Sequence, residues 1–280
     1  MDFLPAYVEV GAKPAQAPQR SVLLLHGILG SASNWRGFSR RLAAEYPAWR
    51  FLVVDLRNHG DSVGAPGPHT VEACAQDLAR LTTALGLQAE FVIGHSFGGK
   101  VALTYAAQPT AGVAEVWLLD APPGALDASR PGAQEIERVI DTIRTVETPL
   151  ETRAALVQAL TERGLSNVIA QWMTTNLRRT NAGYVWRFSL PGIVEMMQDY
   201  AQLDLWPTLR GLPASTTAHV VRGGRSDRWA IADLVALEEV GAAPNVVVHT
   251  LAKAGHWVHV DDAAGLSTLL GAALSRLASS

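Results

Sequence analysis

Six short apolar runs punctuate the chain from residue 20 onward, at 22–25, 51–54, 91–93, 116–119, 219–221 and 246–248. Apart from His219 at the head of the fifth run, they are continuously apolar rather than alternating with polar residues. Such runs predict strands covered on both faces, as in a central parallel sheet. The segments between them carry apolar residues at helical spacing. In the stretch 70–85 these are Val71, Leu78, Leu81 and Leu85, with Thr70 placed to cap the helix and Gly86 to stop it. Strands alternating with helices predict an α/β fold with a mostly parallel, doubly wound sheet. The first 20 residues contain Pro5, Pro14 and Pro18 and are read as a short edge strand or hairpin followed by a loose arm.

The rhythm breaks between Pro122 and Pro213. That stretch shows helical patterns interrupted by Pro131, Pro149 and Pro191, and no run that reads as a strand. It is rich in large apolar side chains: Trp172, Met173, Leu177, Trp186, Phe188, Met196, Met197 and Trp206. The expected organisation is a core domain, residues 1–122 and 213–280, with a helical cap at 123–212 inserted after the sixth strand. Open α/β sheets bind ligands at the carboxyl edge of their strands, where such a cap would sit. Taken singly, each of these aromatics reads as part of the cap's own core; as a group, two or three should line a pocket.

Composition narrows the function classes. With 280 residues, 48% hydrophobic and 18% charged, the chain is a globular one with a sizeable core. A net charge of -3 without a basic stripe gives no footprint for nucleic acid or an anionic membrane surface. No apolar run is long enough to span a bilayer, so no integral membrane segment is expected. The single cysteine, Cys74, excludes an internal disulfide and fits a reducing compartment. The expectation is an intracellular, soluble protein, in the cytoplasm or an organelle matrix. Whether it is a monomer or a dimer is left open.

The chemistry centres on Gly94-His95-Ser96-Phe97-Gly98-Gly99, which lies between an apolar run and a helix-forming segment. A serine at a sharp strand-to-helix turn holds its hydroxyl above the sheet. It is a weak nucleophile until an oriented base takes its proton. The turn resembles that of the α/β-hydrolases, and this resemblance implies nucleophile, acid and histidine in that chain order. His256, in Ala254-Gly255-His256-Trp257, follows the last apolar run, and Gly255 frees its loop to aim the ring at Ser96; nearby His259 lacks that neighbour. The expected acid is Asp227, in Gly223-Gly224-Arg225-Ser226-Asp227, with Asp120 at the end of run 116–119 as the rival. An oxyanion hole needs two donors. Phe97 N–H is one, and the loop His26-Gly27-Ile28-Leu29-Gly30 should supply the other through Ile28, or failing that Leu29. Leu29, His95, Trp172, Trp186 and Trp257 are the candidate pocket residues. The scheme uses no cofactor and no metal.

Four pieces, His26-Gly27, Gly94-x-Ser96-x-Gly98, Gly224-x-x-Asp227 and Gly255-His256, resemble the α/β-hydrolase superfamily over nearly the whole chain. Three longer segments are similar to the YbfF-like esterases grouped with α/β-hydrolase-domain-containing protein 11: residues 26–31 followed by Asn34-Trp35, Asp55-Leu56-Arg57-Asn58-His59-Gly60-Asp61-Ser62, and Gly94 to Lys100. Thr175-Asn176-Leu177 and Trp186-Arg187-Phe188 also look like that subgroup. The resemblance implies esterase or thioesterase activity on a small-molecule substrate, with the triad Ser96, Asp227 and His256 and donors Ile28 and Phe97. Phe97 stands where the subgroup carries methionine, and the acid region is crowded with arginines. The alternatives are a lyase or C–C bond hydrolase on the same fold, resembling a menaquinone-pathway synthase, and a slow-turnover small-molecule receptor.

Overall fold

The computed structural model describes residues 3–11, 20–127 and 129–278. All six apolar runs form strands of one sheet. In chain order the first elements are β1 (Tyr7–Val10), β2 (Arg20–Leu25), α1 (Ala32–Glu45), β3 (Trp49–Val54) and α2 (Val71–Ala84). There follow β4 (Ala89–His95), α3 (Phe97–Ala106), β5 (Glu115–Leu119), α4 (Pro131–Arg144), α5 (Arg153–Glu162) and α6 (Asn167–Met173). Next come β6 (Leu177–Thr180), β7 (Gly183–Trp186), α7 (Leu190–Gln202), α8 (Trp206–Arg210) and β8 (Thr217–Gly223). The chain closes with α9 (Ile231–Val240), β9 (Val246–Leu251), α10 (Val258–Asp261) and α11 (Ala263–Ala278).

The seven-stranded sheet runs β1-β3-β2-β4-β5-β8-β9. Only β1, at the edge, is antiparallel to its neighbour; the loose arm expected after it falls largely outside the described residues. The chain winds outward from β2 to β3 and then crosses to the other side of β2 to form β4, so the topological switch point lies between β2 and β4. Val22, Leu23, Leu24 and Leu25 are wholly buried, each worth about 1.5–3 kcal/mol, because both faces of the sheet are covered. Helices α2, α3 and α9 pack on one face, and α1 and α11 on the other. Helix α2 starts where the pattern predicts: Thr70 accepts a hydrogen bond from Ala73 N at 3.0 Å, and Gly86 takes a φ of 59°.

Register positions the site. Leu25 is level with Gly94, His95 with Leu119, and Leu119 with Val221. The loops after β2, β4, β5 and β8 therefore emerge at one edge of the sheet. Among the described residues only four non-glycine side chains have positive φ: Leu29, Asn58, Ser96 and Asp120. They follow β2, β3, β4 and β5 in turn. Strained backbone of this kind persists only where the surroundings hold it, and it concentrates at working sites.

The inserted stretch departs from expectation in two ways. It follows the fifth described strand of the chain rather than a sixth. It also contains the hairpin of β6 and β7, paired from Leu177↔Trp186 to Thr180↔Gly183. No apolar run announced this hairpin, since its strands are four residues long and β6 carries Arg178 and Arg179. The insertion has its own apolar core, including Val139, Ile143, Leu156, Leu160, Met173 and Ile193.

Candidate active site

Ser96 occupies the turn from β4 into α3 with φ 52° and ψ -118°. Its N–H donates to Leu119 O at 3.0 Å, and its carbonyl accepts from Gly99 N at 2.8 Å as the helix begins. The flanking glycines are required by space. A Cβ on Gly94 would lie 1.9 Å from Gly98 O, and one on Gly98 would lie 2.5 Å from His26 O. The conformation costs of order 1–3 kcal/mol, which the packed strand and helix on either side sustain.

The loop after β2 is braced from behind by buried polar groups. Leu29, at φ 56°, donates its N–H to His59 Nε2 at 3.1 Å, and His59 Nδ1 lies 2.9 Å from Arg57 O. His26 repeats the arrangement, accepting from Leu56 N at 3.0 Å and donating from Nδ1 to Gly27 O at 2.8 Å. Each ring accepts at one nitrogen and donates at the other, which requires neutral imidazole. Burial agrees: it lowers the pKa of His26 to about 4 and that of His59 to about 3. Asp55 joins the loops by accepting from Ala32 N at 2.6 Å and Asp61 N at 2.9 Å. Arg57 is fixed by a buried two-point ion pair to Asp77, at 2.7 and 3.0 Å. The 55–62 segment thus acts through the backbone it supports. Because Leu29 N–H is already engaged, Ile28 is left as the loop's candidate oxyanion donor beside Phe97.

Beyond β9 the chain turns through Gly255, whose N–H is held by Asp261 Oδ2 at 2.8 Å, and presents His256. The carboxylate that His256 meets is Asp120. His256 Nδ1 lies 2.7 Å from Asp120 Oδ2. The second Asp120 oxygen accepts from Gly223 N at 3.0 Å and from Trp229 Nε1 at 2.8 Å, while Ser226 Oγ donates to Oδ2 at 2.5 Å. Asp120 is wholly buried, and four donors offset the cost of taking a carboxylate out of water. The expected pairing of His256 with Asp227 is corrected accordingly. Asp227 has a half-exposed side chain, and its carboxylate lies 3.3 Å from Arg228 Nε. It belongs to the loop that supplies Asp120 with donors. At sequence level both aspartates follow a strand, and nothing in the pattern showed which one the histidine would reach.

His95 and His259 pack around His256. His95 Nε2 is 2.8 Å from His256 O, and its burial drives its pKa well below 6.5. His259 stacks on Trp35 at 4.4 Å, and burial lowers its pKa to about 4. A cavity of about 340 Å³ with mostly apolar walls opens above Ser96. Ser96, His256, Asp120, Ile28 and Phe97 line it, as do His95, Trp172 and Trp257 among the expected pocket residues. Leu29 and Trp186 do not line it. Leu29 is wholly buried in the core of the insertion, turned there by its positive φ, and Trp186 stacks on Phe188 at 4.8 Å in the hairpin. Asp227 lines the cavity apart from the His256 contact.

Sequence reasoning missed the brace between α3 and the insertion. Lys100, one turn beyond Ser96, is wholly buried. It donates to Gly124 O at 2.7 Å, Leu203 O at 2.7 Å and Tyr200 O at 3.1 Å. Its ammonium sits 4.2 Å from the centre of the Tyr200 ring, and burial lowers its pKa to about 8. Phe97 packs against the same ring at 5.5 Å. No group of histidine, cysteine and acidic side chains suited to a metal occurs among the described residues, and none of their helices is long and apolar enough to cross a membrane.

Residues 22–268 match the sequence model of the Alpha/beta hydrolase family. The chain is 29% identical over 266 residues to sn-1-specific diacylglycerol lipase ABHD11 of Mus musculus, covering 93% of this chain and 82% of that protein. It is 27% identical over 244 residues to esterase YbfF of Escherichia coli (strain K12), covering 86% of this chain and 87% of that protein. Among solved structures, a marine microorganism esterase superposes with a TM-score of 0.81 at 21% identity, over 96% of this chain and 98% of that one.

Proposed function

The chain belongs to the alpha/beta hydrolase family, and from that premise we propose that it is a serine hydrolase of carboxylic esters or thioesters. Ser96 is the nucleophile, His256 the base and Asp120 the orienting acid. The observation that carries this reading is the 2.7 Å contact between His256 Nδ1 and Asp120 Oδ2 beside a cavity that Ser96 also lines. That contact keeps the Nδ1 proton on the Asp120 side and turns Nε2 into the acceptor. Ser96 then attacks the substrate carbonyl as His256 takes its proton. The developing oxyanion is met by the N–H groups of Ile28 and Phe97, the latter at the positive end of α3. His256 returns the proton to the departing alcohol or thiol, and water repeats the attack on the acyl-enzyme. The names of the relatives, a lipase and an esterase, point to the same bond type.

In this scheme residues 123–212 serve as a cap. Trp172 and Met197 from the insertion and Trp257 from the core contribute to an apolar wall, which favours a hydrophobic acyl or alcohol group of small to medium size. The test is labelling with a fluorophosphonate, alongside hydrolysis of p-nitrophenyl esters of increasing chain length. Wild-type protein should take up one label at Ser96 and turn over short to medium esters. Ser96→Ala should lose the label and at least about 10³-fold in rate with the fold intact. Turnover surviving in Ser96→Ala would remove the serine mechanism.

A further inference from the structure

The proposed acid is held by a side chain that touches neither substrate nor base. Trp229, just before α9, is buried, and its indole N–H points at Asp120 Oδ1 from 2.8 Å. Indole is a donor only, so this bond has one direction and cannot reverse as a hydroxyl can. Gly223 N occupies the same oxygen, which leaves Oδ2 to His256 and Ser226. A carboxylate pinned in this way cannot rotate to offer His256 its other oxygen. The loop that carries Trp229 is in turn tied to the insertion. Arg130, the residue before α4, donates from one amino group to Asp227 O and Trp229 O, each at 2.7 Å.

From this geometry, and resting on the serine-hydrolase reading above, we infer that Trp229 is a positioning residue for the triad acid, its indole N–H setting the orientation of the Asp120 carboxylate and tempering its charge. An acid without this donor presents more uncompensated negative charge to His256. It stabilises the imidazolium more strongly and raises the pH at which His256 becomes a free base. The other titratable or charged groups around the pair are His95 at the end of β4, His259 on α10, Tyr200 on α7, and Asp227 and Arg228 on the same loop. His95 and His259 are kept neutral by burial near pH 7, and Tyr200 has its pKa raised by burial. All three therefore hold a single protonation state near pH 7.

The experiment compares Trp229→Phe, Ser226→Ala and Asp120→Asn with wild type, using kcat, KM, thermal midpoint and the acid limb of kcat/KM on a p-nitrophenyl ester. Trp229→Phe keeps most of the ring and deletes the donor. It should lower kcat about tenfold with little change in KM, and move the acid limb upward by about half a pH unit. Ser226→Ala removes a second donor and should shift the limb in the same direction, which keeps the inference testable should the Phe variant fold poorly. If Asp120→Asn retains activity, the triad assignment falls and the inference with it. If Asp120→Asn is inactive while Trp229→Phe and Ser226→Ala keep the wild-type kcat and acid limb, the inference alone is overturned. A fall in thermal midpoint with the limb unmoved reduces Trp229 to packing and overturns it as well.

Discussion

Two aspartates follow neighbouring strands of the same sheet, Asp120 after β5 and Asp227 beyond β8, and both line the cavity above Ser96. Their surroundings differ completely. Asp120 is wholly buried at φ 46°, with four donors on its two oxygens. Asp227 is half exposed and faces Arg228, which also reaches Glu135 on α4 at 3.1 Å. An exposed pair like that is worth about 0–1 kcal/mol. The difference teaches that a strand-end position does not by itself bring a carboxylate to the histidine. What does is a buried place beside the ring and a set of donors that hold both carboxylate oxygens.

The sharpest way to break this comparison is to neutralise each aspartate in turn. Asp120→Asn should lower kcat by about 10³–10⁴-fold, because an amide in place of the carboxylate no longer selects the tautomer that leaves Nε2 free as base. Steady-state hydrolysis with a circular dichroism check on folding measures it, and a loss below tenfold would point to a different acid.

An intermediate effect separates the buried polar side of the site from its exposed side. His26, His59 and His259 have folded-state pKa values lowered to about 4, 3 and 4, whereas an unfolded chain titrates near 6.5. Between those values the unfolded state binds the protons and the folded state does not, so stability falls as pH drops from about 6.5 toward 4. Each of the three should cost about 2 kcal/mol by pH 5, together a large part of a typical domain's stability. Urea unfolding midpoints at pH 8, 6 and 5 test this, and a midpoint unchanged at pH 5 would contradict the neutral, buried rings.

The smallest expected effect completes the comparison. Asp227→Asn should change kcat by less than about threefold and stability by no more than about 1 kcal/mol, since it weakens one exposed ion pair. A loss approaching that of Asp120→Asn would reverse the assignment of the two carboxylates.

Much of this was legible along the chain. Leu23, Leu24 and Leu25, or Phe91, Val92 and Ile93, announce doubly covered strands because burial on both faces admits only apolar residues. Thr70 and Gly86 announce the limits of a helix because capping is local chemistry. Gly94 and Gly98 announce the strained serine turn because no larger residue fits there. The hairpin of β6 and β7 was not legible, since four-residue strands bearing Arg178 and Arg179 leave no periodic trace and are held by the insertion around them. Nor could the sequence show that Leu29 turns into the insertion's core, or that Lys100 caps carbonyls of Gly124, Tyr200 and Leu203. Those partners lie 24 to 103 residues away.

By itself, then, the sequence determined the sheet, the strained serine turn, the placement of the histidine and the loops that flank them. Each is written in neighbouring residues through burial, capping and steric space. Only the tertiary structure decided which of Asp120 and Asp227 His256 meets. That choice depends on the register of β5 against β8 and on donors from Gly223, Ser226 and Trp229, more than 100 residues from the carboxylate they hold. A hydrogen bond is decided by distance and direction in space, and neither is a property of position along the chain.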